Sequence, residues 1–236
     1  MATKKVRIKV KKRKINFKRI VLVMIILLLI TFFATYFLKL PVKNIYVTGN
    51  NILSDKEIIK ICELDDYPPY INTYFNNIKE KLLKNDYIKN VNIKRKMPNK
   101  IYIEIEEYKP LAIYNDKLIL SSKKKVDNIY NIDYVPYIVN NIDNIYDNSI
   151  SQFSKITDDV LLKTSHIEYV PNEVDSERFV FYMVDSNYVY ITLTKIEKIN
   201  KYNSIVGELD NKKGIIYLDS GDYAEIKGWH KPALII

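Results

Sequence analysis

The chain has 236 residues, 47% of them hydrophobic and 28% charged, a composition that excludes an intrinsically disordered protein. Its formal net charge of +9 is concentrated at one end: ten of the 37 lysine and arginine residues lie within residues 1–19, so the remaining 27 nearly balance the 28 acidic residues. The body of the chain therefore has no basic surplus for binding nucleic acid, and its single cysteine, Cys62, excludes an intramolecular disulfide.

The first long apolar run, IVLVMIILLLITFFATYFL at residues 20–38, contains no charged residue. At the rise of an α-helix it would span about 28 Å, close to the roughly 30 Å hydrocarbon core of a bilayer. It exceeds the roughly 7–15 apolar residues of a signal peptide, and no small-residue cleavage site follows it. The sequence therefore predicts an uncleaved transmembrane helix over residues 20–40, with a cleaved signal as the alternative.

The orientation of this helix follows from the basic residues on either side of it. Ten precede it, whereas only Lys39 and Lys43 closely follow it. The positive-inside rule then predicts a cytoplasmic tail at residues 1–19 and extracytoplasmic domains after residue 40. The tail either contacts anionic lipid or acts as a topology signal alone, and the sequence leaves both interpretations open.

The segment after the membrane predicts the order strand, helix, helix, strand, strand. Ser54 and Glu57 form an S-x-x-E capping box that predicts the start of the first helix, and Cys62 is predicted to be a buried apolar residue. Two helices would cover one face of a three-stranded sheet and leave the other exposed. The predicted strands are residues 45–48, 87–94 and 101–106, and the second helix begins near residue 72.

The remainder of the chain predicts a sheet-rich unit. Two capping boxes, Ser149/Gln152 and Thr194/Glu197, predict one helix over residues 149–163 and another from residue 194. Residues 128–148 give no secure assignment. The predicted strand pairs are residues 110–114 with 117–121, 179–184 with 188–193, and 214–218 with 223–226, the last joined by a turn at 219–222.

This order resembles the FtsQ/DivIB family of bacterial cell-division proteins. The resemblance is carried by VKNIYVTGNNILS at residues 42–54 and IKNVNIKRKMPNKIYIEIEEYKPLAIY at residues 88–114. It implies an α+β fold with a single transmembrane helix, a small POTRA-type β-α-α-β-β domain and a mixed, β-rich second domain. The predicted limits are a basic cytoplasmic tail at 1–19, the transmembrane helix at 20–40, the POTRA-like domain at 41–109, the β domain at 110–227 and a C-terminal tail at 228–236.

The resemblance also implies partners. In the family, the end of the β domain receives a strand from the coiled-coil division protein FtsB, or DivIC in Gram-positive bacteria, acting with FtsL. An edge strand offers unpaired backbone groups for such pairing, and the last strand of a chain is often an edge. The matching positions here are Tyr217, Leu218, Ser220, Tyr223 and Ile226. The alternative is that Leu218 and Ile226 simply face the core.

No catalytic, cofactor-binding or metal-ligating constellation is recognisable. The two histidines, His166 and His230, lie far apart without metal-ligand spacing, and phosphate-binding and nucleophile motifs are absent from the sequence. Adjacent acids such as Glu106 and Glu107 are interpreted as solvated strand ends. The sequence therefore predicts a non-enzymatic protein without a cofactor.

The predicted function is a bitopic cell-division scaffold at the septum. It would bind FtsB/DivIC-like and FtsL-like coiled-coil proteins and help to recruit or regulate septal peptidoglycan synthesis. The alternative is an extracytoplasmic sensor or anti-sigma-type single-pass receptor, although 19 basic-rich residues are too few to fold into a cytoplasmic signalling module.

Overall fold

The computed structural model describes residues 16–69, 74–96, 99–210, 212–226 and 233–234. It begins with helix α1, Phe17–Leu38. Residues Phe17–Phe37 of this helix are long and apolar enough to cross a membrane, with a mean hydropathy of 2.8, and none of this surface is buried against the rest of the chain. The predicted anchor is thus present as one candidate transmembrane helix. Residues 1–15 of the predicted basic tail lie outside the described residues.

The predicted β-α-α-β-β order follows α1. Strands β1 and β3 pair in parallel, β2 pairs antiparallel to β3, and the order across the sheet is β1-β3-β2. Helices α2 and α3 cover one face of this sheet. The elements are β1 Asn44–Thr48, α2 Asp55–Ile61, α3 Phe75–Leu83, β2 Ile88–Lys96 and β3 Lys100–Glu107.

Successive side chains of β3 alternate between a buried face and a solvent-exposed face. Ile101, Ile103 and Ile105 are at most 3% exposed and share a core with the apolar sides of α2 and α3. Tyr102 and Glu104 point to the opposite face, which no helix in the described part of the chain covers. The predicted two-layer arrangement is therefore confirmed.

The turn between β1 and α2 depends on Gly49. Its φ is +83°, and a Cβ built on it would lie 2.1 Å from the carbonyl oxygen of Ile105. Only glycine fits such a close approach of two backbones. Five residues later the predicted capping box is formed: the Ser54 side chain accepts from the Glu57 N–H, and the Glu57 carboxylate accepts from the Ser54 N–H at 2.9 Å.

The side chain of Glu107 also stabilises this turn. The interpretation of Glu107 from the sequence as a solvated strand end was wrong. Its neighbour Glu106 is an exposed partner of Lys89. The half-buried carboxylate of Glu107, in contrast, accepts hydrogen bonds from the backbone N–H groups of Asn51, Ile52 and Leu53 at 2.8–2.9 Å. Glu107 thereby fixes the backbone that leads into α2, although it lies 54–56 residues further along the chain.

Cys62 is 3% exposed and belongs to the same core as predicted. Burial raises the pKa of its thiol to about 12. The thiolate, which is the reactive form, is therefore scarce at neutral pH, and Cys62 is a packing residue.

The second unit is built on one ten-stranded mixed sheet, whose order is β13-β12-β11-β10-β9-β8-β7-β4-β5-β6. Among the residues of this unit that the structure describes, three α-helices and two 3₁₀ segments lie between the strands. The strands are β4 Pro110–Tyr114, β5 Lys117–Leu120, β6 Lys125–Asp127, β7 Tyr137–Ile138, β8 Thr164–Tyr169, β9 Arg178–Met183, β10 Tyr188–Thr192, β11 Gly214–Tyr217, β12 Tyr223–Ile226 and β13 Ala233–Leu234. The helices are α4 Tyr146–Phe153, α5 Asp158–Leu161 and α6 Tyr202–Glu208, and the 3₁₀ segments are Asp143–Ile145 and Leu193–Lys201.

The three predicted strand pairs are present. β4 and β5 join through Asn115 and Asp116, whose φ values of +50° and +59° are those of a type I′ hairpin turn. β9 and β10 pair antiparallel, as do β11 and β12. The unassigned residues 128–148 contain β7, which pairs in parallel with both β4 and β8 and so makes the sheet continuous.

The predicted helix over residues 149–163 is wrong in extent and in its cap. The structure has two helices, α4 and α5, and α4 already begins at Tyr146. Ser149 is therefore inside the helix, fully buried, and cannot act as its N-cap. Asn200 stabilises the break, because its amide donates to the Lys155 carbonyl and its oxygen accepts from the Thr157 N–H.

The Thr194/Glu197 capping box is also not formed. The segment begins as a 3₁₀ helix, its N-cap is Thr192, and no side chain caps it. Every third residue across this helix and into α6 is buried. This spacing matches the three residues per turn of a 3₁₀ helix rather than the 3.6 of an α-helix. The buried residues are Leu193, Ile196, Ile199, Tyr202 and Ile205.

The hairpin β4–β5 belongs to both hydrophobic cores. Leu111 and Ile119 pack with the helices of the second unit, whereas Ile113 and Leu118 join the core of the β1-β3-β2 sheet. Both faces of this hairpin are therefore buried. Its side chains contribute to the hydrophobic core of each unit. The limits at 109/110 and 227/228 stay predictions.

Candidate partner-binding surface

The β11–β12 hairpin, where the partner-binding residues were predicted, starts at a buried polar network. The Gly214 N–H donates to Asn187 Oδ1 at 2.7 Å, and the Asn187 amide donates to Tyr202 Oη at 2.9 Å. Tyr202 in turn donates to the carboxylate of Asp185, and burial, then this hydrogen bond, raises the pKa of its phenol. A Cβ at Gly214 would lie 2.2 Å from the carbonyl oxygen of Glu225 on the facing strand. Glycine is thus required where the two strands first meet.

Two ion pairs hold the turn of this hairpin, residues 219–222. Arg178 Nε lies 2.6 Å from Asp219 Oδ2, and both side chains are largely buried. Burial alone would raise the pKa of Asp219, but the hydrogen bonds from Arg178 and Ser220 outweigh it and hold that pKa below its usual value. Lys198 pairs with Asp222 on the other side of the turn. The turn is therefore fixed to strand β9 and to the 3₁₀ segment.

A row of stacked tyrosines crosses the outer face of the sheet at this hairpin. The Tyr190 and Tyr217 rings are 5.3 Å apart and nearly parallel, and the Tyr217 and Tyr223 rings are 4.7 Å apart. The guanidinium of Arg178 lies 4.1 Å from the centre of the Tyr190 ring. Partial burial in this stack raises the pKa of Tyr217. These residues, hereafter the tyrosine row (Tyr190, Tyr217 and Tyr223), form a rigid, half-exposed aromatic surface.

The structure separates the five predicted residues into two groups. Tyr217 and Tyr223 lie in the tyrosine row, and Ser220 is exposed in the turn. Leu218 and Ile226 are 2% and 5% exposed and belong to the core on the opposite face, which is the alternative left open by the sequence. Their side chains cannot contact a partner without unfolding the hairpin.

The edge of the sheet also differs from the prediction. The sequence interpretation placed residues 228–236 in a tail and β12 at the end of the sheet. Within the described residues, Ala233 and Leu234 form β13, which pairs with Ala224 and Tyr223 of β12. The sequence-based prediction contains no strand at these residues.

Sequence reasoning also missed Tyr190 and Arg178. Tyr190 lies beside Tyr217 because β10 pairs in parallel with β11, across a crossover of more than twenty residues. The available signal was the alternation of Tyr188, Tyr190 and Thr192 along β10, which places tyrosines on one face of the strand. Long-range parallel pairing itself cannot be obtained from local periodicity.

The described residues offer no cluster for metal binding: among them, no group of three or more histidine, cysteine, aspartate or glutamate side chains could hold an ion. His166 is an exposed residue of β8 beside Tyr137. His230 lies outside the described residues.

Comparison with known proteins places the fold in a family. Residues 40–108 match the POTRA domain, FtsQ-type, family. The chain is 31% identical over 228 residues to the cell division protein DivIB of Bacillus subtilis, covering 92% of this chain and 84% of that protein. It is 28% identical over 236 residues to DivIB of Bacillus anthracis, covering 93% and 87%. A solved structure of the major extracytoplasmic domain of DivIB from Geobacillus stearothermophilus, in its trans isomer, aligns with 20% identity and a TM-score of 0.37, covering 45% of this chain and 97% of that one.

Proposed function

Because the chain belongs to the FtsQ/DivIB family of cell division proteins, we propose that it is a non-enzymatic, membrane-anchored scaffold of the division machinery. It binds FtsB/DivIC-like and FtsL-like coiled-coil partners through the β11–β12 hairpin. Through them it helps to recruit or regulate septal peptidoglycan synthesis. Its N-terminus is cytoplasmic, its folded domains are extracytoplasmic, and it acts at the division septum.

The observation that carries this proposal is the construction of the sheet end. The hairpin is held by Arg178, Lys198 and the Asn187 network, so it does not have to be ordered when a partner arrives. Within the described residues, its outer neighbour β13 pairs with two residues of β12. A partner strand that forms more backbone hydrogen bonds with β12 than β13 does takes its place.

The tyrosine row supplies selectivity beside this backbone pairing. Aromatic side chains give large contact areas at low entropic cost, and tyrosine is enriched in the central residues of interfaces. Tyr217 and Tyr223 are pre-stacked, so their ring orientations are already fixed. Leu218 and Ile226 contribute indirectly, because they pack in the core on the opposite face and hold the hairpin in place.

Titration of the full chain in detergent with the ectodomains of the coiled-coil partners tests the proposal. Tyr217→Asp is expected to weaken binding at least tenfold, because it removes the centre of the row. Tyr137→Asp is the matched control: Tyr137 is an exposed tyrosine on β7, four strands away from β11 in the same sheet, and this variant should bind normally. Absence of binding by the folded chain, or equal affinity of both variants, contradicts the proposal.

A fluorescently tagged chain separates the scaffold from the sensor interpretation. Bands at midcell support a division scaffold, and their loss in the Tyr217→Asp variant would link the hairpin to recruitment. Uniform label around the membrane supports a receptor of the sensor or anti-sigma type instead.

A further inference from the structure

The membrane-proximal end of the three-stranded sheet is held close to the bilayer. Val42 is fully buried, its N–H donates to the Pro68 carbonyl at 3.0 Å, and the next N–H, of Lys43, donates to the Asn99 carbonyl at 3.1 Å. Only three residues separate Val42 from Leu38, the last residue of α1. The chain can bridge at most roughly 14 Å over these four steps. The ends of β1 and β3 next to Val42 and Asn99 are therefore near the headgroups, on whichever side of the membrane they lie.

Three lysines gather at this end on the outer, helix-free face. The strand register places Lys96 opposite Lys100, and Lys94 opposite Tyr102. Lys94 and Lys96 are exposed and Lys100 is half-exposed. We define the lysine patch as Lys94, Lys96 and Lys100.

The amines of the lysine patch are unpaired, unlike many other lysines of the chain. Among the described residues, none of the three forms an ion pair or a side-chain hydrogen bond. Lys89 on the same strand, by comparison, pairs with Glu106 at 2.5 Å, and Lys124 pairs with Asp86 at 2.6 Å. Like charges placed directly opposite each other on neighbouring strands are destabilising. An anionic surface outside the protein would relieve the repulsion between Lys96 and Lys100.

Two tyrosines border the lysine patch. Tyr46 and Tyr102 stack at 4.8 Å on the same face, and Tyr46 is 43% exposed. Aromatic and basic side chains together are typical of surfaces at the membrane–water interface. Acidic residues lie to either side: Glu104 is one step further from the membrane end, and Asp65 borders Lys43 near β1. The positive potential is thus concentrated at the β2 edge.

We propose that the lysine patch docks the POTRA-type domain onto the anionic phospholipid headgroups of the leaflet that faces it. The tether at Val42 supplies proximity, and the three lysines supply the charge. Docking brings β2, the strand farthest from the tether, down to the bilayer and so fixes the tilt of the domain. Each lysine near an anionic surface changes the ratio of docked to undocked molecules by roughly fivefold.

The test uses the full chain in nanodiscs, with a fluorophore on a cysteine introduced as Asn92→Cys. Asn92 is exposed on the outer face of β2, and the buried Cys62 stays unlabelled. Quenching by a headgroup-linked quencher reports the approach of β2 to the bilayer. We expect at least twofold stronger quenching in discs with phosphatidylglycerol than in discs of phosphatidylcholine alone. This difference should vanish between about 0.1 M and 1 M salt, as the Debye length falls from roughly 10 Å to 3 Å.

The triple variant Lys94→Gln, Lys96→Gln, Lys100→Gln should lose the response to lipid charge. The control Lys56→Gln, Lys60→Gln, Lys84→Gln removes the same charge from exposed positions on α2 and at the end of α3 in the same domain. This control should keep the response to lipid charge. Equal quenching in both lipids, or equal loss in both triple variants, overturns the proposal. Soluble polyphosphate is the last arm: if it binds the patch in phosphatidylcholine discs while membrane charge has no effect, the ligand is a free polyanion and the membrane assignment is wrong.

Discussion

Removal of the Glu107 carboxylate is expected to destabilise the β1–α2 turn more than any other single acidic substitution in the POTRA-type domain. Glu107 accepts three backbone hydrogen bonds, from Asn51, Ile52 and Leu53. A hydrogen bond to a charged group is worth about 1.5–3 kcal/mol, but the Asn51 N–H is exposed and can turn to water. Glu107→Ala should therefore lower the free energy of unfolding by about 2–4 kcal/mol. Glu107→Gln keeps one acceptor oxygen and places an amide donor against an N–H donor, so about half of that loss is expected.

Urea denaturation of the full chain in detergent measures these changes, and amide hydrogen exchange at residues 51–53 localises them. The control is Glu106→Ala, on the adjacent residue, which removes only an exposed ion pair with Lys89 and should cost less than about 1 kcal/mol. If Glu107→Ala costs no more than Glu106→Ala, or if exchange at residues 51–53 is unchanged, the three hydrogen bonds do not hold the turn.

Three further substitutions probe the second unit. Gly214→Ala should melt the β11–β12 hairpin and abolish partner binding while leaving the far end of the sheet folded, because its Cβ would lie 2.2 Å from the Glu225 carbonyl oxygen; unchanged exchange protection in β12 would refute this. Since the folded-state pKa of Asp219 lies below its unfolded value, its pairing with Arg178 stabilises the fold above pH about 4 and is lost as the pH falls through the folded pKa. Thermal melts should therefore separate Asp219→Asn from the parent at pH 7, and the difference in melting temperature should narrow as the pH falls below about 4; a constant difference would argue against the linkage. Ser149→Ala should leave stability unchanged or raise it by about 1 kcal/mol, because the buried Ser149 Oγ has no hydrogen-bond partner among the described residues; a lowered denaturation midpoint would contradict this.

The POTRA-type domain was predictable because several local signals agree there. The Ser54/Glu57 capping box follows a break at Gly49, and Leu53 and Ile58 flank it as buried residues. The same S/T-x-x-E/Q pattern at Ser149 and Thr194 failed, since neither residue stands at a point where the chain enters a helix. A capping pattern identifies a helix start only when the preceding residues are themselves forced out of the helix.

The second unit was predictable in its hairpins and not in its long-range pairing. Asn115-Asp116 and the turn at residues 219–222 are local features, and their strands are present. Strand β7 was missed because its two residues are fixed by parallel neighbours from distant parts of the chain. The 3₁₀ segment was misassigned even though its three-residue spacing is visible in the sequence, because spacings of three and 3.6 differ little over a short run.

The candidate surface shows the same division. The β11–β12 hairpin and the outward positions of Tyr217 and Tyr223 were accessible from alternation. The inward positions of Leu218 and Ile226 were left open, although the alternation that turns Tyr217 and Tyr223 outward turns both of them inward. Arg178 pairs with Asp219 across 41 residues, and no local pattern contains that contact.

The two dry faces of the β4–β5 hairpin have a mechanical consequence. Ile113 and Leu118 pack in one core, and Leu111 and Ile119 pack in the other. A bend between the two units must therefore expose apolar side chains of one of these cores to solvent. We therefore expect force applied at the distant β11–β12 hairpin to reach Val42 with little bending between the two units. The folded part after α1 is thus expected to behave as one stiff body, in which the β11–β12 hairpin keeps a fixed position relative to the three-stranded sheet.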